Sequence, residues 1–222
     1  GKEGGGLWNG SGVMTISGTT IDGNDAQGNF VADPLEIIGG GGIFANDNGT
    51  VVIEAGTTIS NNQASGTQGS GGGILVAQNA NLDINGTVGS PVVISGNFAS
   101  RAGGGIEDWS TTATPNTIDN TDFTGNSAGV AIGTFVVDGA PGNGGAIHVS
   151  GPGNNDITGG TASGNLAAAE GGGFWNGSGT MTVDRTTLDA NVASGAEATN
   201  GGGALFNIGG TLTVSNATIS NN

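Results

Sequence analysis

The chain has 222 residues, of which 49 are glycine and only 9% are charged. Its 3 basic and 18 acidic residues give a formal net charge of -15, which repels phosphate backbones and anionic lipid, so we expect neither a nucleic-acid partner nor binding to a bare membrane. The absence of cysteine excludes disulfides and thiolate metal sites, and no apolar run approaches the roughly 18 residues that a membrane-spanning helix needs.

A Gly-Gly pair followed by an apolar residue occurs seven times and is the first fixed point of an internal repeat. Successive copies lie 28 to 40 residues apart, so insertions are absorbed in loops between the fixed points. We expect the apolar residue to face inward in every unit. These residues are Leu7, Ile43, Ile74, Ile106, Ala146, Phe174 and Ala204.

The second fixed point is a pair of residues at spacing two, apolar in five of the seven units. Spacing two places both side chains on one face of a β-strand. The pairs are Met14/Ile16, Val51/Ile53, Leu82/Ile84, Asn116/Ile118, Asn155/Ile157, Met181/Val183 and Leu212/Val214.

The third fixed point is an apolar residue followed three positions later by asparagine. We expect the asparagines to form a ladder at a turn, because a side-chain amide can bond backbone groups of its own coil and of the next. The asparagines are Asn24, Asn62, Asn97, Asn126, Asn165, Asn191 and Asn222, preceded by Ile21, Ile59, Ile94, Phe123, Ala162, Leu188 and Ile219.

Short strands of this kind can bury an apolar face only if equivalent strands stack in parallel, about 4.8 Å apart. The repeat therefore predicts an all-β protein: a right-handed parallel β-helix, or β-solenoid, of about seven coils with three short strands each. We expect residues 1–222 to form a single domain, which is either a segment of a larger protein or a stackable unit. A β-propeller is the weaker alternative, because its blades need longer strands and roughly 40 residues each.

The motifs Gly144-Gly145-Ala146-Ile147 and Phe123-Thr124-Gly125-Asn126 resemble the GGAI and FxxN repeats of the chlamydial polymorphic membrane proteins. The other units keep these motifs in relaxed form, with Phe in the second motif only once and no carboxy-terminal membrane barrel in the chain. The resemblance implies a right-handed β-helical region on a bacterial cell surface, used for adhesion or self-assembly. It also implies an extracellular or cell-surface location.

The residue after the inward apolar position forms a second candidate row, which would face outward. An exposed row of apolar groups would be a binding surface for a host or glycan ligand. The opposite assignment, in which the row faces inward or lies under a loop, stays open. The candidate binding residues are Trp8, Phe44, Leu75, Ile147, Trp175 and Leu205, with Glu107 in the same row.

Parallel β-helices also include polysaccharide lyases and hydrolases, so a carbohydrate-active enzyme is the alternative function. A lyase of acidic sugars needs basic residues, and the chain offers Lys2, Arg101 and Arg185. Asn120-Thr121-Asp122 matches one short polygalacturonase motif, and the acidic pair Glu107-Asp108 could serve glycoside hydrolysis. The companion Gly-His-Gly and Arg-Ile-Lys motifs of that family are missing, so we expect no catalytic residues.

His148 is the only histidine, so a histidine-based metal site within one chain is not expected. No cofactor is expected either, although calcium is a possible ligand because two turns are rich in oxygen atoms. The candidate calcium ligands are Asp22, Asn24, Asp25 and Asp47.

Neither terminus carries a capping element in the sequence, and an uncapped solenoid end invites another β-layer. We therefore expect self-association end to end, into a fibre, as one form of repetition. Together these features predict a non-enzymatic structural or adhesive solenoid; a module that binds a cation or a glycan without turnover is a further alternative.

Overall fold

The fold is all-β and consists of four parallel sheets that run the length of the molecule. The computed structural model describes residues 1–28, 38–130, 141–197 and 199–222, and within these ranges it contains strands and turns but no helix. Each sheet takes one strand from each successive coil, so neighbours in a sheet are always equivalent strands of adjacent coils. The predicted parallel β-helix of about seven coils is confirmed.

The first sheet follows the glycine-rich segments, and its strands number the coils from 1 to 7. Its strands are Leu7–Asn9, Ile43–Ala45, Ile74–Val76, Ile106–Asp108, Ile147–Val149, Phe174–Asn176 and Leu205–Asn207. The second sheet holds the pairs at spacing two. Its strands are Gly12–Ile16, Gly49–Glu54, Asn81–Asn85, Asn116–Asp119, Asn154–Thr158, Thr180–Asp184 and Thr211–Ser215.

The third sheet precedes the asparagine turn. Its strands are Thr20–Asp22, Thr58–Ser60, Val92–Ser95, Thr121–Thr124, Thr161–Ser163, Thr187–Asp189 and Thr218–Ser220. A fourth sheet, which the three-strand prediction did not include, follows that turn in coils 2 to 6. Its two-residue strands are Gln63–Ala64, Phe98–Ala99, Ser127–Ala128, Leu166–Ala167 and Val192–Ala193.

The core is a set of apolar columns enclosed by the sheets, one residue per coil in each column. The second sheet contributes Val51 and Ile53 from coil 2, and the third sheet contributes Ile59; all three are fully buried. Burying one such side chain contributes roughly 2 kcal/mol relative to leaving it in water. The columns continue through the coils because every strand pairs with its neighbour in parallel register.

The register corrects the predicted inward column of the first sheet in two coils. Ile106 pairs with Ile147, and Phe174 pairs with Leu205, so the inward residues of coils 5 and 7 are Ile147 and Leu205 rather than Ala146 and Ala204. The two alanines are buried, but they take the place of the third small residue of a Gly-Gly-Gly segment. Counting from the Gly-Gly pair therefore shifted the prediction by one residue.

The seven asparagines of the third fixed point form one continuous ladder. In coil 3, Asn97 Nδ2 donates to Asn126 Oδ1 of the next coil (2.9 Å) and to Ile59 O of the preceding coil (3.0 Å). Its Oδ1 accepts from both the backbone N–H and the side-chain amide of Asn62, each at 3.0 Å. Because the same bonds recur through coils 2 to 6, buried amides are satisfied without water.

Candidate functional site: a buried polar cluster in coils 4 to 6

The second residue of each first-sheet strand points away from the core, yet most of this outer column is buried. Its members by register are Trp8, Phe44, Leu75, Glu107, His148, Trp175 and Phe206. Ile147 and Leu205 therefore do not belong to the predicted binding row. Phe44, Leu75 and Ile147 are fully buried, Trp175 and Leu205 are half-buried, and only Trp8, at 49%, is exposed. The prediction of an exposed apolar row is thus wrong for all but its first member.

Glu107 and His148 meet in this outer column, in adjacent coils. His148 Nδ1 lies 2.8 Å from Glu107 Oε2, and because a carboxylate can only accept, Nδ1 carries the proton. Ser150 Oγ donates to the other carboxylate oxygen. Both side chains of the pair are 2% exposed, and His148 Nε2 makes no hydrogen bond with the part of the chain that the structure describes.

The surroundings of Glu107 favour its ionised form. Burial, the strongest single influence, works to raise the pKa of this carboxyl. Attraction and hydrogen bonding by His148, the charge of Arg101 and the Ser150 hydrogen bond together outweigh burial and hold the pKa below its usual value. The pair is therefore a buried carboxylate with its compensating partners in place.

A second polar chain lies on the opposite, inward side of the same strand. Asp108 Oδ2 accepts from Asn155 Nδ2 (2.6 Å), and Asn155 Oδ1 accepts from Asn116 Nδ2 (3.4 Å). Asn116 Oδ1 in turn accepts from the backbone N–H of Leu82 at 2.9 Å. Burial raises the pKa of Asp108, although hydrogen bonds from Asn155 and Ser110 oppose the rise. The polar residues at the second fixed point thus replace core side chains with a bonded chain.

Aromatic rings continue the outer column beyond His148. The imidazole stacks on the Trp175 indole with ring centroids 4.2 Å apart, and Trp175 is nearly parallel to Phe206 at 6.3 Å. Trp175 Nε1 donates to Glu170 Oε2 at 2.9 Å. Because the neighbouring coils cover the ring faces of Trp175, these faces are not open for stacking on a ligand.

The other candidate catalytic residues are not gathered around Glu107. Asp122 lies in the third sheet, where its carboxylate accepts from Thr161 Oγ1 (2.9 Å). Arg185 forms an ion pair with Asp184 at the end of a second-sheet strand. Arg101 donates to Ser70 Oγ (3.1 Å) and contributes its charge at Glu107. The structure therefore brings together only Glu107, Asp108, His148 and Arg101.

The candidate calcium ligands bond to the next coil. Asp22 accepts from Ser60 and Asn61 of coil 2, and Asp25 Oδ1 accepts from Ser65 Oγ (2.7 Å). Asp47 accepts from Asn79 Nδ2 (2.7 Å), and Asn24 is the first member of the asparagine ladder. Among the described residues, no three His, Cys, Asp or Glu side chains are grouped in a way that could hold a metal ion. Calcium binding stays a prediction.

An aspartate clip between coils escaped the sequence analysis. In three places an aspartate accepts from the Ser hydroxyl and the Asn amide of a Ser-Asn pair one coil further on, and the asparagine has a positive φ of 50° to 56°. The hydrogen bonds of the serine, then of the asparagine, lower the pKa of each aspartate. The aspartates are Asp22, Asp184 and Asp189. The recurring Ser-Asn pairs were the available signal.

No family model matches the chain, and no curated protein or solved structure matches it either. The resemblance to the polymorphic membrane proteins therefore stays a prediction. Over the residues that the structure covers, no helix is long and apolar enough to cross a membrane.

Proposed function

We propose that the chain is a non-enzymatic structural and adhesive β-solenoid displayed outside a bacterial cell. The observation that carries the proposal is the unbroken ladder of asparagines, which ties each coil to the next through buried, fully bonded amides. Such a ladder favours a rigid rod whose outer rows recur at the coil spacing. A surface of this kind suits attachment to a ligand that itself repeats.

The placement of the ionisable residues supports a structural role over catalysis. Glu107 and His148 are buried against each other, and Asp108 is buried in the core with Asn155. A general acid or base must come within hydrogen-bond reach of the substrate proton that it moves. These side chains instead bond to one another and to the neighbouring coil.

The proposal is tested with the folded chain coupled to beads and offered a panel of neutral and acidic polysaccharides. We expect retention of at least one polysaccharide without release of new reducing ends or unsaturated products. Beads carrying the heat-unfolded chain, which has the same composition and charge, are the matched control. Equal retention on both beads would contradict an adhesive role for the rod.

The same assay measures the enzymatic alternative directly. Turnover of any polysaccharide that is lost in Asp122→Asn or Glu107→Gln would replace the proposal with a hydrolase or lyase. Turnover that survives both substitutions would point to contamination, so it is repeated after a further purification step.

A further inference from the structure

Coil 6 repeats the sequence of coil 1. Residues 170–183 match residues 3–16 at eleven of fourteen positions, including the run Trp-Asn-Gly-Ser-Gly. Coil 7 in turn resembles coil 2, since residues 218–222 and residues 58–62 both read Thr-Ile-Ser-Asn-Asn. The order of coil types therefore starts again after five coils.

The repeated tryptophans are held in the same way. Trp8 Nε1 donates to Glu3 Oε2 (3.2 Å), as Trp175 Nε1 donates to Glu170 Oε2 (2.9 Å). In both coils the ring lies over a glycine two residues later, where a Cβ would come within 2.9 Å of Trp8 Cζ3 and 2.8 Å of Trp175 Cζ3. The likeness thus extends from sequence to side-chain placement.

The interface between coils 1 and 2 recurs between coils 6 and 7. Asn9 Nδ2 donates to Thr50 O (3.0 Å), and Asn176 Nδ2 donates to Thr211 O (3.2 Å). The aspartate clip recurs as well, with serine bonds of 2.7 Å in both interfaces. The clips are Asp22 with Ser60 and Asn61, and Asp189 with Ser220 and Asn221. The two interfaces are therefore built by one set of residues.

The far edge of coil 7 presents the side chains that coil 2 presents to coil 3. In coil 2 these are Ile43, Val51, Ile53, Ile59 and Asn62, all buried. In coil 7 they are Leu205, Leu212, Val214, Ile219 and Asn222. Val214 and Ile219 are 41% and 51% exposed, although both continue buried core columns.

We propose that the edge of coil 7 is a docking surface for a coil of the third type, with a sequence like that of residues 63–97. The argument is continuity with an interface already present. Coil 2 binds coil 3 through Ile59 beside Ile94, through the N–H of Asn61 on Ser95 O (3.0 Å) and through the ladder.

Asn221 and Asn222 of coil 7 are identical to the two coil 2 residues whose N–H groups make these bonds. One contact has no counterpart, because Ser215 stands in coil 7 where Glu54 of coil 2 accepts from Asn85. The five-coil order also places a third-type coil, and not the first coil of a second copy, next to coil 7. Direct stacking of seven-coil units would break that order.

The experiment appends residues 63–97 directly after Asn222, so that the third coil type follows the seventh coil in phase. The matched control appends residues 98–126, which keep the asparagine ladder but follow coil 7 out of order. The control segment places the Glu107 carboxylate next to Phe206 without His148, and Asn116 next to Leu212. A buried carboxylate without its partner opposes docking.

Hydrogen exchange of the Asn221 and Asn222 amides reads out docking. We expect the third-type extension to slow their exchange at least about tenfold relative to the 222-residue chain, and the control extension to slow it less. The amide of Asn62, whose N–H is already bonded to Asn97 Oδ1, reports whether the first seven coils stay folded.

Three outcomes would overturn the proposal. The first is no slowing in the third-type extension while the Asn62 amide stays protected. The second is equal slowing in both extensions. The third is concentration-dependent protection of Asn221 and Asn222 in the 222-residue chain with matching growth in sedimentation, which would identify a second copy as the occupant. None of these outcomes depends on whether the chain binds a polysaccharide.

Discussion

Coils 2 and 3 differ from coils 4 and 5 in how they fill the same outer column. In coils 2 and 3 the column holds Phe44 beside Leu75, and in coils 4 and 5 it holds Glu107 beside His148. All four side chains are at most 2% exposed. One architecture therefore accepts either an apolar pair or an acid–imidazole pair at equal burial.

The comparison shows that the column requires matched neighbours rather than one residue type. An apolar pair needs no partners beyond packing, whereas a buried carboxylate is tolerated only with hydrogen bonds and opposing charge. Glu107 has both, from His148, Ser150 and Arg101. The charged pair is therefore the place where the solenoid is most sensitive to a single substitution.

The largest expected effect comes from breaking this pair. We expect His148→Leu to lower the free energy of unfolding by about 3–5 kcal/mol, because the Glu107 carboxylate stays buried without its main partner. Equilibrium unfolding in urea at neutral pH measures the loss.

The double variant Glu107→Leu/His148→Leu is the matched control for that loss. It makes coils 4 and 5 resemble coils 2 and 3 in this column, so we expect it to recover to within about 1 kcal/mol of the wild type. A double variant as unstable as His148→Leu would show that the imidazole acts through its stacking on Trp175 instead.

The asparagine ladder is common to both regions and should respond equally in each. We expect Asn97→Ala in coil 3 and Asn126→Ala in coil 4 each to lower the unfolding free energy by about 2–4 kcal/mol, since each leaves a buried N–H and a buried carbonyl unpaired. Urea midpoints of the two variants are compared directly. A clearly larger loss in coil 4 would mean that the polar cluster depends on the ladder.

Much of this fold could be predicted from the sequence because its fixed points have physical causes. Pairs at spacing two specify strands, and the asparagine three residues after an apolar residue specifies the ladder turn. The fourth sheet could not be predicted, because strands as short as Gln63–Ala64 are too short to show alternation.

The Glu107–His148 contact escaped prediction for a different reason. The two residues are 41 positions apart, so only the register brings them together. Counting from the Gly-Gly pair placed Ile147 in the row where His148 lies, and a shift of one residue exchanges the two faces of a strand. The alanine in Gly144-Gly145-Ala146 thus concealed the pair.

The buried carboxyls of coil 4 predict opposite pH dependences. The folded pKa of Glu107 lies below its usual 4.5, so its contribution to stability is present above 4.5 and is lost as the pH falls through the folded value. The folded pKa of Asp108 lies above its usual 3.8, so its contribution is present below 3.8 and is lost as the pH rises through the folded value.

Urea unfolding of Glu107→Gln and Asp108→Asn across a range of about pH 3 to 7 separates the two effects. We expect Glu107→Gln to flatten the acid-side loss of stability and Asp108→Asn to remove the decline on the other side. Two variants with the same pH profile would contradict the separate environments of the inward and outward faces.

The smallest effect is expected at the aspartate clips, which use the same chemistry as Glu107 but in water. Asp189 accepts from Ser220 Oγ and Asn221 Nδ2, each at 2.7 Å, and exposed ionic contacts contribute little because solvent screens them. We therefore expect Asp189→Asn to lower the melting temperature only slightly at neutral pH. The hydrogen bonds from Ser220 and Asn221 hold the folded pKa of Asp189 below its usual 3.8, so the difference from wild type should vanish once the pH falls through that folded value. A difference in melting temperature that persists there would mean that the clip acts through side-chain shape rather than through its ionised carboxylate.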